Sequence, residues 1–177
     1  MWESLISNKL FKSFVNKMLK TKDLEKKILL QLLDDGRQPL FKIAKNVGAT
    51  RQTVAKKFEQ LRSSGLISSF APKLEPEKFG LGIQAYVFMR EDPRSDIRSE
   101  NEDVIKGFPE VSEFHRLFGK YDSIIKVLVE DKEELTNLVK RLHKLSGVRE
   151  TETFIVHSTI KNKPEDPFMK ALTASEK

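Results

Sequence analysis

The sequence predicts an α+β protein in two parts: a three-helix helix-turn-helix module, then a β-α-β-β-α-β split sandwich. Three observations predict this. Helical periodicity with capping residues at its ends runs through residues 21–67. Two prolines and a glycine interrupt all periodicity across SSFAPKLEPEKFG at 68–80, which reads as a linker. From Leu81 onward strand-like runs alternate with two helical stripes, up to residue 161.

The first helix is expected over TKDLEKKILLQLLDDG (21–36), where Leu24, Ile28, Leu29, Leu32 and Leu33 form one apolar stripe. Thr21 can cap it and Gly36 can end it. PLFKIAKNV (39–47) makes a shorter second helix with Leu40, Ile43, Ala44 and Val47 inward, and Gly48 centres the turn that follows. The third helix lies within Ala49 to Ile67, with Thr50 as N-cap and Gly65 as stop. Val54, Phe58 and Leu61 fall at i, i+4 and i+7 and face a core, so at about 100° per residue Gln52 and Lys56 point the other way. Such an outward face suits a DNA major groove. An ordinary three-helix bundle is the alternative.

In the second part, LGIQAYVFMR (81–90), VSEFHRLF (111–118), DSIIKVLVE (122–130) and TETFIVHSTI (151–160) read as strands, with a short strand also allowed near Ile67 to Phe70. Helices are expected over 95–108, a weak stripe, and 131–144, where Asp131 and Glu134 have capping-box spacing. Residues 162–177 read as a polar tail. With both helices on one sheet face, the other face should be polar in a monomer. Instead Ile83, Ala85, Val87 and Met89 alternate with Gln84, Tyr86, Phe88 and Arg90, and Ile124 and Leu128 oppose Ile125, Val127 and Val129. Two apolar faces predict a dimerisation domain.

Charge is uneven. Residues 1–20 carry four Lys against one Glu, residues 21–70 ten Lys or Arg against five acids, and residues 71–177 eighteen against twenty. The basic excess therefore surrounds the third helix and favours a polyanion partner, although a Lys-rich helix face can also be plain solvated surface. No run approaches the roughly 20 apolar residues of a membrane span. The N-terminus alternates Lys with apolar residues and lacks a signal-peptide core. Cysteine is absent, which removes disulfides, thiol catalysis and Cys-ligated zinc and fits a cytoplasmic location. His115, His143 and His157 are scattered without metal-site spacing, and neither a Gly-rich phosphate loop nor a Gly-x-Ser-x-Gly elbow occurs. No metal, cofactor or catalytic residue is expected.

DLEKKILLQLLDDGR, KIAKNVGATRQTVAKKFEQLRSSGLI, LEPEKFGLG, FPEV, GKYD and GVRETETFIVHSTI occur in an order and spacing that resemble the leucine-responsive regulatory protein / asparagine-regulator (Lrp/AsnC) family of bacterial and archaeal transcription regulators. The resemblance covers about Asp23 to Lys161. It implies a winged or three-helix DNA-binding domain at 21–67 and a ferredoxin-like βαββαβ effector and oligomerisation domain of the AsnC type at 81–161. It also implies dimers that can assemble into tetramers or octamers, and control by a free amino acid. Carried over by position, double-stranded DNA would be met by Thr50, Arg51, Gln52, Thr53, Lys56 and Lys57. Arg51 can fork onto guanine or clamp a phosphate, and Gln52 can pair with adenine. Thr53 can touch a thymine methyl or a phosphate, while Lys56 and Lys57 suit phosphates. Family members usually carry Arg where Lys57 stands.

The same resemblance places an effector site at Gly119, Tyr121, Asp122, Thr151 and Thr153, with a carboxylate for an α-ammonium and turn N–H groups and hydroxyls for the carboxylate. Gly119 and Asp122 also suit a plain hairpin turn. Residues 1–20 depart from the family: Ile6, Leu10, Phe14 and Met18 share a helical face with Phe11 and Val15 beside it. An added packing helix, a basic DNA-touching arm and a membrane-surface helix compete, and six large apolar residues favour packing. The function expected is a nucleoid-associated regulator binding semi-palindromic sites. The alternatives are a sequence-indifferent DNA-coating protein and, because FHRLFGKYD lies where such a site would be, a sirohaem decarboxylase.

Overall fold

A computed structural model of the chain describes residues 23–174. These residues fall into two compact units, 23–72 with 162–174, and Lys73–Lys161. Thr21 and the amphipathic stretch at 1–20 lie outside the described residues.

The first unit is built on α1 (Asp23–Asp34), α2 (Leu40–Val47) and α3 (Arg51–Ser63). Each contributes its apolar stripe to one core: Ile28, Ile43 and Val54 are fully buried, and Leu61 nearly so. Between α2 and α3 the chain must reverse within three residues. Gly48 does this with φ at 68°, a conformation that glycine reaches without a Cβ penalty. Thr50 then caps α3, its Oγ1 accepting the Thr53 N–H at 3.1 Å. At the far end the Ile67 N–H reaches back to the Leu61 carbonyl at 3.1 Å. The Phe70 ring lies 5.8 Å from that of Phe58. Residues 67–70 form no strand, contrary to the short one the sequence allowed.

The tail differs from expectation too. Residues after Lys161 do not stay loose: α6 (Asp166–Ala174) forms and belongs to the first unit. Pro167 is tolerated in the first turn, and Phe168, Ala171 and Leu172 at i, i+3 and i+4 make a short apolar stripe. The surrounding Lys, Glu and Pro mask that stripe in a composition count.

The second unit carries β1 (Ile83–Glu91), α4 (Ser95–Lys106), β2 (Val111–Arg116), β3 (Ser123–Val129), α5 (Lys132–His143) and β4 (Val148–Ile155). The strands are antiparallel in the order β2-β3-β1-β4, the split βαβ arrangement. Period-2 alternation puts Ala85, Val87 and Met89 on the same face as Ile125, Val127 and Val129, and all six are fully buried under Ile105 of α4 and Leu138 and Leu142 of α5. Asp131 caps α5 through the Glu134 N–H at 2.9 Å. The Glu134 carboxylate accepts the Glu130 N–H at 2.7 Å, one residue before the cap rather than at it.

β4 starts three residues earlier than its apolar run and stops at Ile155. Gly147, with φ at 74°, turns the chain into the strand, and its carbonyl accepts the Asp92 N–H at 2.8 Å. Arg149 and Glu150 are charged yet suit an edge strand, where they pair with Asp92 and Arg90. A Cβ on Gly147 would approach the Asp92 Cβ to 2.9 Å and the Ile97 side chain to 3.1 Å, whereas one on Gly48 would meet open space. Gly48→Ala is therefore expected to cost about 1–2 kcal/mol of backbone strain, and Gly147→Ala more. Urea unfolding of the two variants beside the parent chain measures the difference.

Candidate functional site

The outer face of α3 is set by how its inner face is held. With Val54 and Leu61 buried, Arg51, Gln52, Thr53 and Lys56 are exposed. Among the described residues, the Arg51, Gln52 and Lys56 side chains engage no partner. The other three candidates, Thr50, Thr53 and Lys57, are occupied. The Thr53 hydroxyl lies 2.9 Å from that of Thr50, fixing both at the start of the helix. Lys57 does not stand free as a phosphate contact: its Nζ sits 2.8 Å from Glu25 of α1, both side chains being mostly buried. This pair ties α3 to α1. The helix start thus combines a cationic side chain, an amide side chain and a helix N-terminus whose first N–H groups favour anions.

The five effector candidates divide. Gly119, Tyr121 and Asp122 lie in the turn between β2 and β3; Thr151 and Thr153 lie on β4. The Tyr121 hydroxyl donates to the Glu152 carboxylate, and its ring lies 5.2 Å from Phe88, on the sheet face that no helix among the described residues covers. Thr151 and Thr153 pair with Met89 and Val87, so they point to the opposite, helix-covered face. Thr151 is hydrogen-bonded there to His143. The Asp122 backbone N–H donates to the Met89 carbonyl at 2.9 Å, so Asp122 and Thr151 both flank Met89.

The Asp122 carboxylate already has partners. Oδ2 accepts the Glu91 N–H at 2.9 Å, and Oδ1 lies 2.7 Å from the Arg98 guanidinium. Partial burial pushes this carboxyl up, but the Glu91 N–H and Arg98 outweigh it and hold it below the usual carboxylate range. Arg98 and a buried ionic group beside it were missed by sequence reasoning. The Glu91 side chain is 1% exposed, and it accepts from Arg116 and, at 2.9 Å, from Ser123. Arg116 also reaches Glu102 at 2.8 Å. The signal was present in β1: the phase that sends Ala85, Val87 and Met89 inward sends Glu91 inward as well, and a buried carboxylate requires a cation.

His115 is exposed beside Glu113, and His143 is exposed on α5. Among the described residues no cluster of His, Asp and Glu could hold a metal ion, and no helix is long and apolar enough to cross a membrane.

A helix-turn-helix module joined to a split βαβ unit is the architecture of a transcriptional regulator with an appended ligand-binding domain. Residues 22–68 match the winged helix-turn-helix DNA-binding family, and residues 84–166 match the Lrp/AsnC ligand binding domain. The chain belongs to the Lrp/AsnC family of transcriptional regulators. It is 31% identical over 145 residues to the HTH-type transcriptional regulator FL11 of Pyrococcus horikoshii, covering 82% of this chain and 95% of that protein. The Pyrococcus furiosus FL11 regulator is 32% identical over the same shares. A transcriptional regulator from Neisseria meningitidis, solved in complex with L-Met, superposes with a TM-score of 0.79 at 23% identity, covering 84% of this chain and 97% of that one. These relatives are regulators and not enzymes, which argues against the sirohaem decarboxylase alternative.

The lowered Asp122 pKa makes a prediction. A carboxylate whose folded-state pKa is depressed stabilises the fold fully above its unfolded value near 3.9, and this stabilisation is lost as pH falls through the folded value. Asp122→Asn is expected to lower stability at pH 7 and to flatten the loss between about pH 5 and pH 2. Chemical denaturation across that range, on both chains, reads the two slopes.

Proposed function

We propose that this regulator reads double-stranded DNA sequence through α3 and does so as a dimer or a higher assembly of dimers. The observation that carries the reading is the set of Arg51 at the helix start and Gln52 and Lys56 on one face: exposed and unengaged among the described residues, while Lys57 is held by Glu25. Arg51 and Gln52 are the base readers, and Lys56 a phosphate contact. Thr50 and Thr53 order the helix start, and Lys57 sets its orientation.

The uncovered sheet face supports dimerisation. By register it gathers Gln84, Tyr86 and Phe88 of β1, Ile124, Lys126 and Leu128 of β3 and Phe154 of β4, with Glu113 and Glu152 on the edge strands. Lys126 in its middle is neutralised by Glu113 at 2.8 Å, and the apolar residues around it suit a protein interface. Two copies joined here would present two recognition helices to a semi-palindromic site, one helical turn or a multiple apart. The effector is a free amino acid at the Gly119 to Asp122 turn with Thr151 and Thr153, and the site of action is the cytoplasmic nucleoid.

Arg51→Ala or Gln52→Ala is expected to weaken a specific promoter site by roughly 1–3 kcal/mol per lost base contact while leaving random DNA nearly unchanged. Lys56→Ala should weaken all sequences alike and reduce the salt slope by about one. Gel-shift titrations on specific and random duplexes measure both, and equal losses on the two for Gln52→Ala would remove its reading role. Footprints separate a regulator, with discrete phased protection, from a coating protein, with uniform coverage. Leu128→Glu should shift the sedimentation profile toward monomer. An unchanged profile would rule this sheet face out as the interface.

A further inference from the structure

A groove of about 590 Å³ opens on the first unit between α1, the segment from Gly65 to Ala71, and α6. Leu29 and Leu33 of α1, Leu66 and Phe70 of the segment, and Phe168 and Leu172 of α6 line it. Leu66, Phe70 and Phe168 are large apolar side chains left between 41% and 63% exposed. An apolar channel of this extent on a small helical unit asks for an occupant.

The chain holds one of matching size and chemistry. Residues 1–22 lie outside the described residues and run directly into Asp23, the first residue of α1. Their apolar residues Ile6, Leu10, Phe14 and Met18 recur every four positions, the spacing of one helical face; Lys9, Lys12 and Lys20 lie off it, and Lys17 falls between Ile6 and Leu10 around the helix, one turn beyond Phe14. We propose that this segment doubles back on α1 of the same chain as an amphipathic helix and seats Leu10 and Phe14 in the groove.

Thr21 and Lys22 supply the two-residue joint that an antiparallel helix pair needs. From such a joint both helices rise at 1.5 Å per residue, so Phe14 comes level with Leu29 and Leu10 with Leu33. Sixteen helical residues span about 24 Å, enough to cover the roughly 18 Å of α1. Charge agrees: Lys9 comes level with Asp34 at the far end of α1, with Asp35 next to it, and Glu165 and Asp166 stand at the start of α6. The tether keeps the local concentration of the segment high, which favours its own groove over that of a second copy. The segment would then fill the space between α1 and α6 and brace the module that carries α3.

The absence of cysteine gives a clean background for the test. In the full chain, Phe14→Cys with Leu29→Cys, and Leu10→Cys with Leu33→Cys, are oxidised and run without reductant. A fast-migrating monomer is expected, in a yield independent of protein concentration, while Phe14→Cys with Lys56→Cys gives none. As a second reading, the single Phe14→Cys thiol should react with a maleimide at least tenfold more slowly than Lys56→Cys. Phe14→Asp should raise the fluorescence of added anilinonaphthalene sulfonate several-fold with the helical circular dichroism signal retained. Covalent dimers in place of the fast monomer would assign the groove to a second copy and overturn the proposal. So would a Phe14→Cys thiol as reactive as the exposed Lys56→Cys control.

Discussion

The anchoring of α3 by its inner stripe is the contact on which the placement of its exposed face depends. A helix of 13 residues is marginal in water, so its stability comes from packing rather than from its own hydrogen bonds. Val54 and Leu61 supply that packing against Ile28 and Ile43, each fully buried side chain contributing roughly 1.5–3 kcal/mol. Apolar contact alone lets a helix roll about its axis. The mostly buried pair of Lys57 with Glu25 opposes the roll, because turning α3 would separate two charges that have already lost much of their water. The angle at which Arg51 and Gln52 leave the surface is therefore decided by residues that face away from it.

The second unit obeys the same rule with a different period. β1 is central, paired on both edges, and its inward residues are sealed by α4 and α5. Because side chains alternate strictly, every residue that seals the core leaves its neighbour on the open face. That face cannot be polar throughout: Tyr86 and Phe88 stand between Ala85, Val87 and Met89, and the Phe154 ring packs edge-on to Phe88 at 5.5 Å. In both units, then, the buried half of an element positions the half left over for a partner.

The order of elements was legible in the sequence because periodicity and capping residues are local properties. Thr50 with Thr53, Gly48 and the stripe of α5 all stand in the structure where the spacing put them. What was not legible depended on distant partners. The sequence suits Lys57 to a phosphate, and only the fold brings Glu25, 32 residues earlier, beside it. Arg98 and Arg116 lie in an expected helix and strand whose patterns give neither a partner, and only the fold brings them to Asp122 and Glu91. The helix at Asp166–Ala174 escaped because three apolar residues among Lys, Glu and Pro become a stripe only when there is a surface to receive them. β4 was misplaced at its start because Arg149 and Glu150 disguise an edge strand as a loop.

Arg98 also bears on how a ligand at Asp122 could act. The two carboxylate oxygens of Asp122 are both taken, one by the Glu91 N–H and one by Arg98 of α4. An α-ammonium that claims the carboxylate must share it with the guanidinium or displace it. Arg98 is held at its other end by the Asp92 carbonyl at 2.8 Å, and the Arg98 carbonyl in turn accepts from Arg116, whose partner is buried Glu91. Displacing Arg98 would therefore disturb the seat of α4 and the end of the central strand together. By thermodynamic reciprocity, anything that shifts α4 would alter the affinity of Asp122 for an ammonium group by the same factor. A carboxylate fully free to bind would carry no such coupling. An ammonium ligand bound at Asp122 would give up affinity to Arg98 and, through the same contact, would become linked to the shape of the domain.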